Sequence, residues 1–564
     1  MTGLPAGRLG AGGMAVAGAV AGDDGLLVAG APAEMIAPAW RRWGDELAEH
    51  VDATFLVWDK QAGRGVLARG RAGETPVLVA RGEGRTLAFA TDPGALLQLL
   101  RAQPAPDPAA VAAWLVRGAP PVGRTLLAGV GRLLPGEHLR LGAGRVERVR
   151  HWRPAFAEPI RDRGEALDAL RQALTDAVRR AGSARAALLL SGGLDSTAVA
   201  ALSDAPRPLA LHGAFPQDPE VDESAAVDAT VAELGLRGIR AVVTDVRPHV
   251  AAAAHAARWQ APLPTPNEPI WSALVAQAAA RGADAILDGE GGDSVLGPAP
   301  FVLADLLARG RLLGARSAAR DLVGADVATR ALWRFGVVGL VPGGVHQRWR
   351  RRRGAKRYAP SWVRPEVAAE LLAADRPWDW KRLDGPRWWA ERAHGLTDRL
   401  DASGAHDLPR RRAAEVGLPS RHPLQDPALV ELALRLHPAL LHDPAGDRSL
   451  AREALAGIIP DHVGTATAKP RFNAIQERWL LAERGEAEQL LGADALVGDY
   501  VDLASVREWL LGDPARHPAG RTRWPLDAWR VLSLEIWLRE HAGMNRRVEA
   551  SEKEQVLIQT TVLP

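Results

Sequence analysis

The residues best suited to chemistry lie in two short turns, each at the end of an apolar run. The first is Leu190-Ser191-Gly192-Gly193-Leu194-Asp195-Ser196-Thr197, which follows Ala187-Leu188-Leu189. A Gly-rich turn between a strand and a small-residue helix offers backbone N–H groups and hydroxyls to an anion at a helix N-terminus. Asp195 would repel that anion unless a cation came with it. The economical occupant is a nucleotide pyrophosphate held together with Mg²⁺. The turn is not a Walker A loop, since no Gly-x4-Gly-Lys-Ser/Thr run occurs in the chain. The second turn is Asp288-Gly289-Glu290-Gly291-Gly292-Asp293, which follows Ala285-Ile286-Leu287. Three carboxylates within these six residues repel one another unless cations or donors lie between them.

The elements that must carry these turns read as alternating helix and strand. Leu167, Leu170, Leu174 and Val178 give one apolar helical face. Leu209–Phe215 and Ile239–Val243 read as strands, with a helix from Asp222-Glu223 through Leu234 between them. This alternation implies a parallel sheet with ligands at the C-terminal ends of its strands, where the first turn falls. Residues 1–150 are β-rich instead. Ala53–Asp59, Gly65–Arg69, Pro76–Ala80 and Thr86–Ala90 are strand-like runs separated by glycines and charges. We therefore expect an α/β chain with a β-rich domain over 1–150 and an ATP-binding domain over 151–545. Trp152-Arg153-Pro154 reads as the linker, and 546–564 as a mobile tail. Residues 300–400 form a helical, Arg- and Trp-rich insert. Its run Gln347–Arg357 is expected to be a solvated face, or else a surface for an acidic peptide or partner protein.

Composition narrows the function classes. The 564 residues carry 70 basic and 67 acidic side chains, a net charge of +3, which argues against a nucleic-acid partner. There is no cysteine, which removes disulfides, Cys-ligated zinc and Cys nucleophiles. No apolar run is long enough to predict a transmembrane helix, so no membrane partner is expected. The Ala/Gly/Val-rich patch Met14–Ala21 reads as part of the first domain, not as a signal peptide, and a cytoplasmic location is expected. The 19 tryptophans are read as core packing.

The Ser191–Ser196 sequence, SGGLDS, resembles the pyrophosphatase-type loop of the asparagine synthetase B superfamily, whose synthetase domain is adenine-nucleotide-α-hydrolase-like. Enzymes with this loop cleave ATP to AMP and pyrophosphate and leave an acyl-adenylate. The second turn is similar to that family's L-S-G-E/D-G-G-D-E segment, with Asp288 in place of Ser and Ser294 in place of Glu. Further on, Ser420–Asp426 stands where the family has R-x-P-F-L-D. Arg448–Ala454 with Ile459-Pro460 matches K-x-x-L-R-x-A…P, and Ala466–Phe472 falls where these enzymes carry a Lys near the phosphates. The resemblance implies that Leu190, Ser191, Gly192, Gly193, Asp195, Ser196 and Gly289 form the ATP site, with Leu190 and Gly289 beside the adenine. It implies Mg²⁺ on Asp195 and Asp293, and Glu290 beside the reacting acyl carbon to orient or deprotonate the amine. Lys469 would neutralise charge on the pyrophosphate and the tetrahedral intermediate, and Arg471 is a second candidate of that kind.

Residues 1–150 resemble the superfamily's N-terminal-nucleophile (Ntn) glutaminase domain. Ala53–Asp59 matches its GxFxxxxWD strand, Arg69–Val77 its R-D-x-x-G-x-x-P-L pair, and Leu133–His138 its L-x-P-G hairpin. The family's glutaminase uses an N-terminal Cys. This chain begins Met1-Thr2-Gly3, has no Cys, and lacks recognisable glutamine-binding segments, so the domain looks like a degenerate scaffold. A substrate that brings its own amine is then required. Two branches of the family fit, β-lactam synthetases and lasso peptide cyclases, and the Lys469-Pro470-Arg471-Phe472 segment, the departure at Asp288 and the Trp/Arg-rich insert look more like the cyclases. That resemblance implies adenylation of an Asp or Glu side chain of a precursor peptide and attack by the peptide's N-terminal amine. It implies a leader peptidase and a leader-recognition protein as partners. The alternatives are an amide ligase for a small substrate and a non-catalytic ATP-binding scaffold.

Overall fold

In a computed structural model of the chain, the described residues are all except 1–6, 11–12, 17–19, 22–25, 74, 83–85, 101–102, 143–144, 354–358, 375–384, 400–406, 442–447, 466–471, 544–555 and 564. For the remaining residues of 7–21, for 556–563, and for Arg350, Arg351, Arg353 and Arg399, only the backbone is described.

The N-terminal part of the chain builds two antiparallel sheets. Its strands are β1 (Gly7–Gly10), β2 (Gly13–Val16), β3 (Val20–Ala21), β4 (Leu26–Ala29), β5 (Phe55–Asp59), β6 (Arg64–Ala68), β7 (Leu78–Arg81), β8 (Leu87–Ala90), β9 (Val130–Arg132), β10 (Glu137–Gly142) and β11 (Arg145–Arg150). One sheet has the order β2-β1-β8-β7-β9 and the other β11-β10-β6-β5-β4-β3. Alternation of side chains along a strand splits each sheet into two apolar faces. Leu56, Trp58 and Leu67 of one sheet meet Val79, Leu87 and Phe89 of the other and form the inner core. Phe55, Val57 and Val66 face outward and are covered by Ile36 and Trp40 of the helix Ala33–Trp43. The outer face of the other sheet, Leu78, Ala80 and Ala88, packs on Trp114, Trp529 and Val531. Helices thus cover both outer faces, and one cover includes the C-terminal helix Trp524–His541.

Among the described residues, the rest of the chain holds one further sheet, of β12 (Ala186–Leu189), β13 (Leu209–Ala214), β14 (Gly238–Val246), β15 (Ala285–Leu287), β16 (Ser420–Arg421) and β17 (Val556–Leu563). Its order is β16-β15-β12-β13-β14-β17. The first five strands run parallel, and β17 joins antiparallel to β14, with Ile239 opposite Val562 and Val243 opposite Ile558. Both faces are buried, as a parallel sheet requires. Ala186, Leu188 and Ala210 pack on the helices Arg163–Ala181 and Ser224–Leu234 through Leu170, Leu174, Val227 and Val231. Ala187, Leu211, Ile239 and Ile286 pack on Leu274 and Val275 of the helix Glu268–Ala280. The expected α/β class, a β-rich unit followed by a parallel-sheet unit, is the observed one.

Two expectations change. The segment expected to be a mobile tail supplies β17, because the edge of β14 offers a row of unpaired amides that another extended segment can satisfy. Trp152 is more than a linker residue. It is buried, and its indole N–H donates to Glu431 Oε1 at 2.8 Å. The tryptophans do fill cores: Trp362, Trp389, Trp524, Trp529 and Trp537 are among the largest fully buried side chains.

Candidate active site

The two Gly-rich turns come from neighbouring strands, β12 and β15, and meet at the C-terminal edge of the sheet. Leu190 still donates its N–H to Leu211 O (2.9 Å), after which the chain leaves the ladder. Ser196 closes the turn. Its Oγ accepts from Ser191 N (3.1 Å), donates to Ser191 O (3.2 Å) and lies 3.0 Å from Ser191 Oγ. Gly193 then begins the helix Leu194–Leu202, and no side chain caps it. An uncapped helix start of this kind suits an anion.

The second turn lies directly on the first, and glycines make this possible. A Cβ on Gly289 would stand 2.6 Å from Ser196 N, and one on Gly292 would stand 2.4 Å from Asp195 Cγ. Gly291, at φ 95°, supplies the left-handed step between them. The parallel pairing of β12 with β15 (Leu188 with Leu287) fixes this stacking.

Charge converges where the turns touch. Arg448 Nη1 lies 2.7 and 2.8 Å from the two carboxylate oxygens of Asp195 and 2.9 Å from Asp293 Oδ1. The Asp195 and Arg448 side chains are 16% and 7% exposed, whereas Asp293 is 57% exposed, so the cluster opens toward solvent on the Asp293 side. Two carboxylates that aim at one point from adjacent turns suit a hard divalent cation with oxygen ligands. Asp195 and Asp293 have the chemistry to hold Mg²⁺, the ion that the family resemblance implies there. Among the described residues no cluster of three or more His, Cys, Asp or Glu forms a ready-made metal cage. A cation here would have to complete its shell with phosphate oxygens and water, as Mg²⁺ commonly does.

Asp288 turns away from the other two carboxylates of its turn and finds the donors that such close acids require. It is buried, accepts from Glu290 N (3.0 Å) and lies 2.9 Å from His422 Nδ1. Its charge is thus directed into the protein and shapes the turn, which relieves the repulsion among the three acids. Glu290 stays exposed, with its carbonyl accepting from Gln425 Nε2 at 3.1 Å. The Ser420–Asp426 segment thereby acts as a support. β16 extends the sheet beside β15, His422 and Gln425 hold the acidic turn, and Asp426 caps the helix Pro427–Arg435 while pairing with Arg180.

A second support runs beneath the first turn. His212 Nδ1 is 3.3 Å from Leu190 O, its Nε2 is 3.2 Å from Ser224 Oγ, and that hydroxyl donates to Asp222 Oδ1 at 2.6 Å. Burial lowers the His212 pKa and favours the neutral ring. Burial also works against the Asp222 charge, but the Ser224 hydroxyl and the N–H groups of Phe215 and Ser224 outweigh it and hold the carboxyl below its usual range. The neighbouring Glu223 reaches the turn itself, as a Cβ on Gly192 would lie 3.2 Å from Glu223 Oε1.

The sequence reading brought Leu190, Ser191, Gly192, Gly193, Asp195, Ser196, Gly289, Glu290 and Asp293 into one site, and the two turns that hold them do meet. Lys469 and Arg471 lie outside the described residues. The segment that leads to them is anchored, because Arg452 Nη1 donates to Val463 O (2.9 Å) and Gly464 O (2.8 Å). Sequence reasoning assigned no role to Arg448, His422 or His212. A signal existed only for Arg448, which stands at the Lys position of the K-x-x-L-R-x-A pattern.

Comparison with known proteins agrees with this geometry. Residues 169–539 match the asparagine synthase family, and residues 27–152 match the glutamine amidotransferase domain. The chain is 25% identical to proteins named "Putative asparagine synthetase (glutamine-hydrolyzing)" from Mycobacterium bovis and from two strains of Mycobacterium tuberculosis. Each alignment covers 92% of this chain and 80% of the relative. The two sheet units are consistent with an Ntn-glutaminase-like domain followed by a synthetase domain.

Proposed function

The chain belongs to the asparagine synthase family, and from that premise we propose that it is an AMP- and pyrophosphate-forming ligase that closes a peptide macrolactam. It adenylates an Asp or Glu side chain of a ribosomal precursor peptide and joins it to the same peptide's N-terminal amine, as in lasso peptide biosynthesis. The observation that carries this reading is a mismatch between the two domains. The synthetase turns keep Asp195, Glu290 and Asp293 at one edge, while the amidotransferase-like domain belongs to a chain without a single cysteine. An intact carboxylate activator without a thiol to release ammonia calls for a substrate that supplies its own amine.

The steps follow from the side chains. The Ser191–Ser196 turn and the first N–H groups of the helix after it bind the pyrophosphate of ATP. Asp195 and Asp293 would hold Mg²⁺, which would supply charge to offset the phosphates. The substrate carboxylate attacks the α-phosphate, the bond to pyrophosphate breaks, and an acyl-adenylate remains. Lys469 neutralises charge on the departing oxygens. The amine then attacks the acyl carbon, its proton passes to Glu290, and AMP leaves. Because amine and carboxylate belong to one molecule, positioning of the peptide supplies much of the advantage, up to about 7–11 kcal/mol for well-aligned groups.

The chain also has a cavity with room for a substrate larger than an amino acid. A cavity of about 1170 Å³ is lined by Phe156, Asp305, Arg309, Asp321, Arg387 and Trp388, and the 300–400 insert forms much of its wall. Drug-sized ligands occupy roughly 300–1,000 Å³. The helix Arg387–His394, which lines the cavity through Arg387 and Trp388, is held to the segment that follows the acidic turn, since its buried Arg392 donates to the carbonyls of Gly297 and Val295. A leader peptidase and a leader-recognition protein complete the proposed system, and a cytoplasmic setting follows from the use of ATP. Among the described residues no helix is long and apolar enough to cross a membrane.

A second reading, amidation of a small carboxylate with glutamine nitrogen, is favoured by the amidotransferase match and the names of the relatives. One assay separates them. The purified chain is given ATP, Mg²⁺ and the peptide encoded by a short reading frame beside its gene, and in parallel glutamine with aspartate. Cyclisation predicts AMP, pyrophosphate and a peptide lighter by one water, with no glutamate. Glutamate release with asparagine formation would replace the cyclase reading with the second one, and ADP formation would end the adenylation mechanism.

A further inference from the structure

We propose that Arg448 is a built-in counter-cation that occupies the metal position of the nucleotide-free site, so that a divalent ion enters only in company with the nucleotide. The inference rests on the reading of Asp195 and Asp293 as metal ligands and adds an order of binding to it.

The geometry is specific. One nitrogen, Nη1, lies within 2.9 Å of three carboxylate oxygens from two different turns. A surface arginine that pairs with one acid would not do this. A cation at the shared focus of two carboxylates holds the place of a metal, with one charge where Mg²⁺ would bring two. The resting cluster of Asp195, Asp293 and Arg448 is left with one negative charge, too little to draw a bare divalent ion past a guanidinium about 3 Å away.

The backbone supports a positioned role. Arg448 is one of two non-glycine residues with positive φ among the described residues, at φ 58° and ψ 42°. Such a conformation costs on the order of 1 kcal/mol or more and persists only where surroundings impose it. Here the constraint is visible. The residue starts the helix Ser449–Ala454, and its carbonyl accepts from Arg452 N at 3.1 Å. Its side chain is 7% exposed. The left-handed step aims the guanidinium back across the start of that helix onto Asp195, 253 positions earlier in the chain.

The nucleotide supplies what free Mg²⁺ lacks. Its phosphates attract the guanidinium, for which a planar array of donors is a good match. As Arg448 turns from the carboxylates to a phosphate, the metal position opens and the incoming Mg²⁺ takes it. When pyrophosphate departs, Arg448 returns and expels the ion. The site therefore does not hold a stray metal between turnovers.

The test measures Mn²⁺ binding by electron paramagnetic resonance on the full chain, with and without a non-hydrolysable ATP analogue. Wild type should bind Mn²⁺ weakly alone and tightly with the analogue. Arg448→Met should bind Mn²⁺ alone at least about tenfold more tightly than wild type, because one positive charge next to two carboxylates is gone. Arg448→Lys should stay masked, like wild type. If Arg448→Met binds Mn²⁺ no better than wild type, the inference fails while the metal site stands. If wild type takes up one Mn²⁺ with the same affinity with or without the analogue, it also fails, and this arm needs no variant to fold. If no protein binds Mn²⁺ even with the analogue, the metal reading falls and takes the inference with it.

Discussion

Arg69 of the amidotransferase-like sandwich and Asp195 of the parallel-sheet domain hold buried charge in opposite ways. In the sandwich, Arg69 is fully buried and donates to two carbonyls, Leu133 O and Gly73 O, both at 2.6 Å. Glu137 likewise accepts from Leu134 N at 2.8 Å. These charges pin backbone turns, and Glu137 also lies within ion-pair distance of Arg148 and Arg150. In the parallel-sheet domain Asp195 is held by Arg448, and Arg448 reaches Asp293, the exposed end of the cluster. A buried charge satisfied by backbone marks a scaffold. A half-buried charge balanced by other charges beside an opening marks chemistry, because a ligand can change that balance.

The largest expected break in this contrast comes from the exposed acid. Asp293→Ala should lower formation of AMP and pyrophosphate by about 10³-fold or more, with unchanged circular dichroism, since its side chain is 57% exposed and supports no core. An active Asp293→Ala enzyme would place the site elsewhere. Next is the stacking of the two turns. Gly289→Ala puts a methyl 2.6 Å from Ser196 N, where only backbone can yield. A shift of about 1 Å there should cost about 10²-fold in kcat/KM. Gly235→Ala is the control, at a glycine with open space around its Cβ position and a strain confined to a helix end. The scaffold side predicts the opposite signature. Arg69→Met should destabilise the chain by about 3 kcal/mol in denaturant unfolding, as two buried carbonyls lose charged donors. Its kcat, measured where the variant is folded, should remain close to wild type. A large kcat loss without destabilisation would give the sandwich a catalytic role.

The sequence exposed those parts of the site that are written contiguously. A strand, a Gly-rich turn and a helix start lie side by side in Ala187–Thr197, and so do the acids of Asp288–Asp293. The period of Leu167, Leu170, Leu174 and Val178 likewise located the helix Arg163–Ala181. What remained hidden depends on chain crossings that have no local signature. Arg448 reaches Asp195, and His422 reaches Asp288, only after strand order and loop paths are fixed. The inward turn of Asp288 follows from that imidazole and could not be separated from its neighbours by spacing. β17 is an apolar, β-branched run, Val556–Leu563, that reads in sequence as one tail with the polar residues before it, and its place beside β14 depends on a chain crossing.

The smallest expected effect lies in the sandwich and concerns acid. His138 and His151 face each other with Nδ1 atoms 3.2 Å apart. Burial lowers the His138 pKa to about 4, with Arg140 adding to the effect. Burial lowers His151 to about 4 as well, helped by His138, Arg150 and Arg71. Both values lie below the ordinary 6.5, so the folded chain refuses protons that the unfolded chain accepts. Stability from this pair is therefore complete above pH 6.5, is lost as pH falls from 6.5 toward 4, and stops changing below that. His151→Gln removes one titrating ring and relieves the other of its neighbour. The Tm of the variant should fall less steeply than that of wild type across this window, and the two should run parallel above about pH 7. Parallel curves throughout would show that the pair opens to solvent.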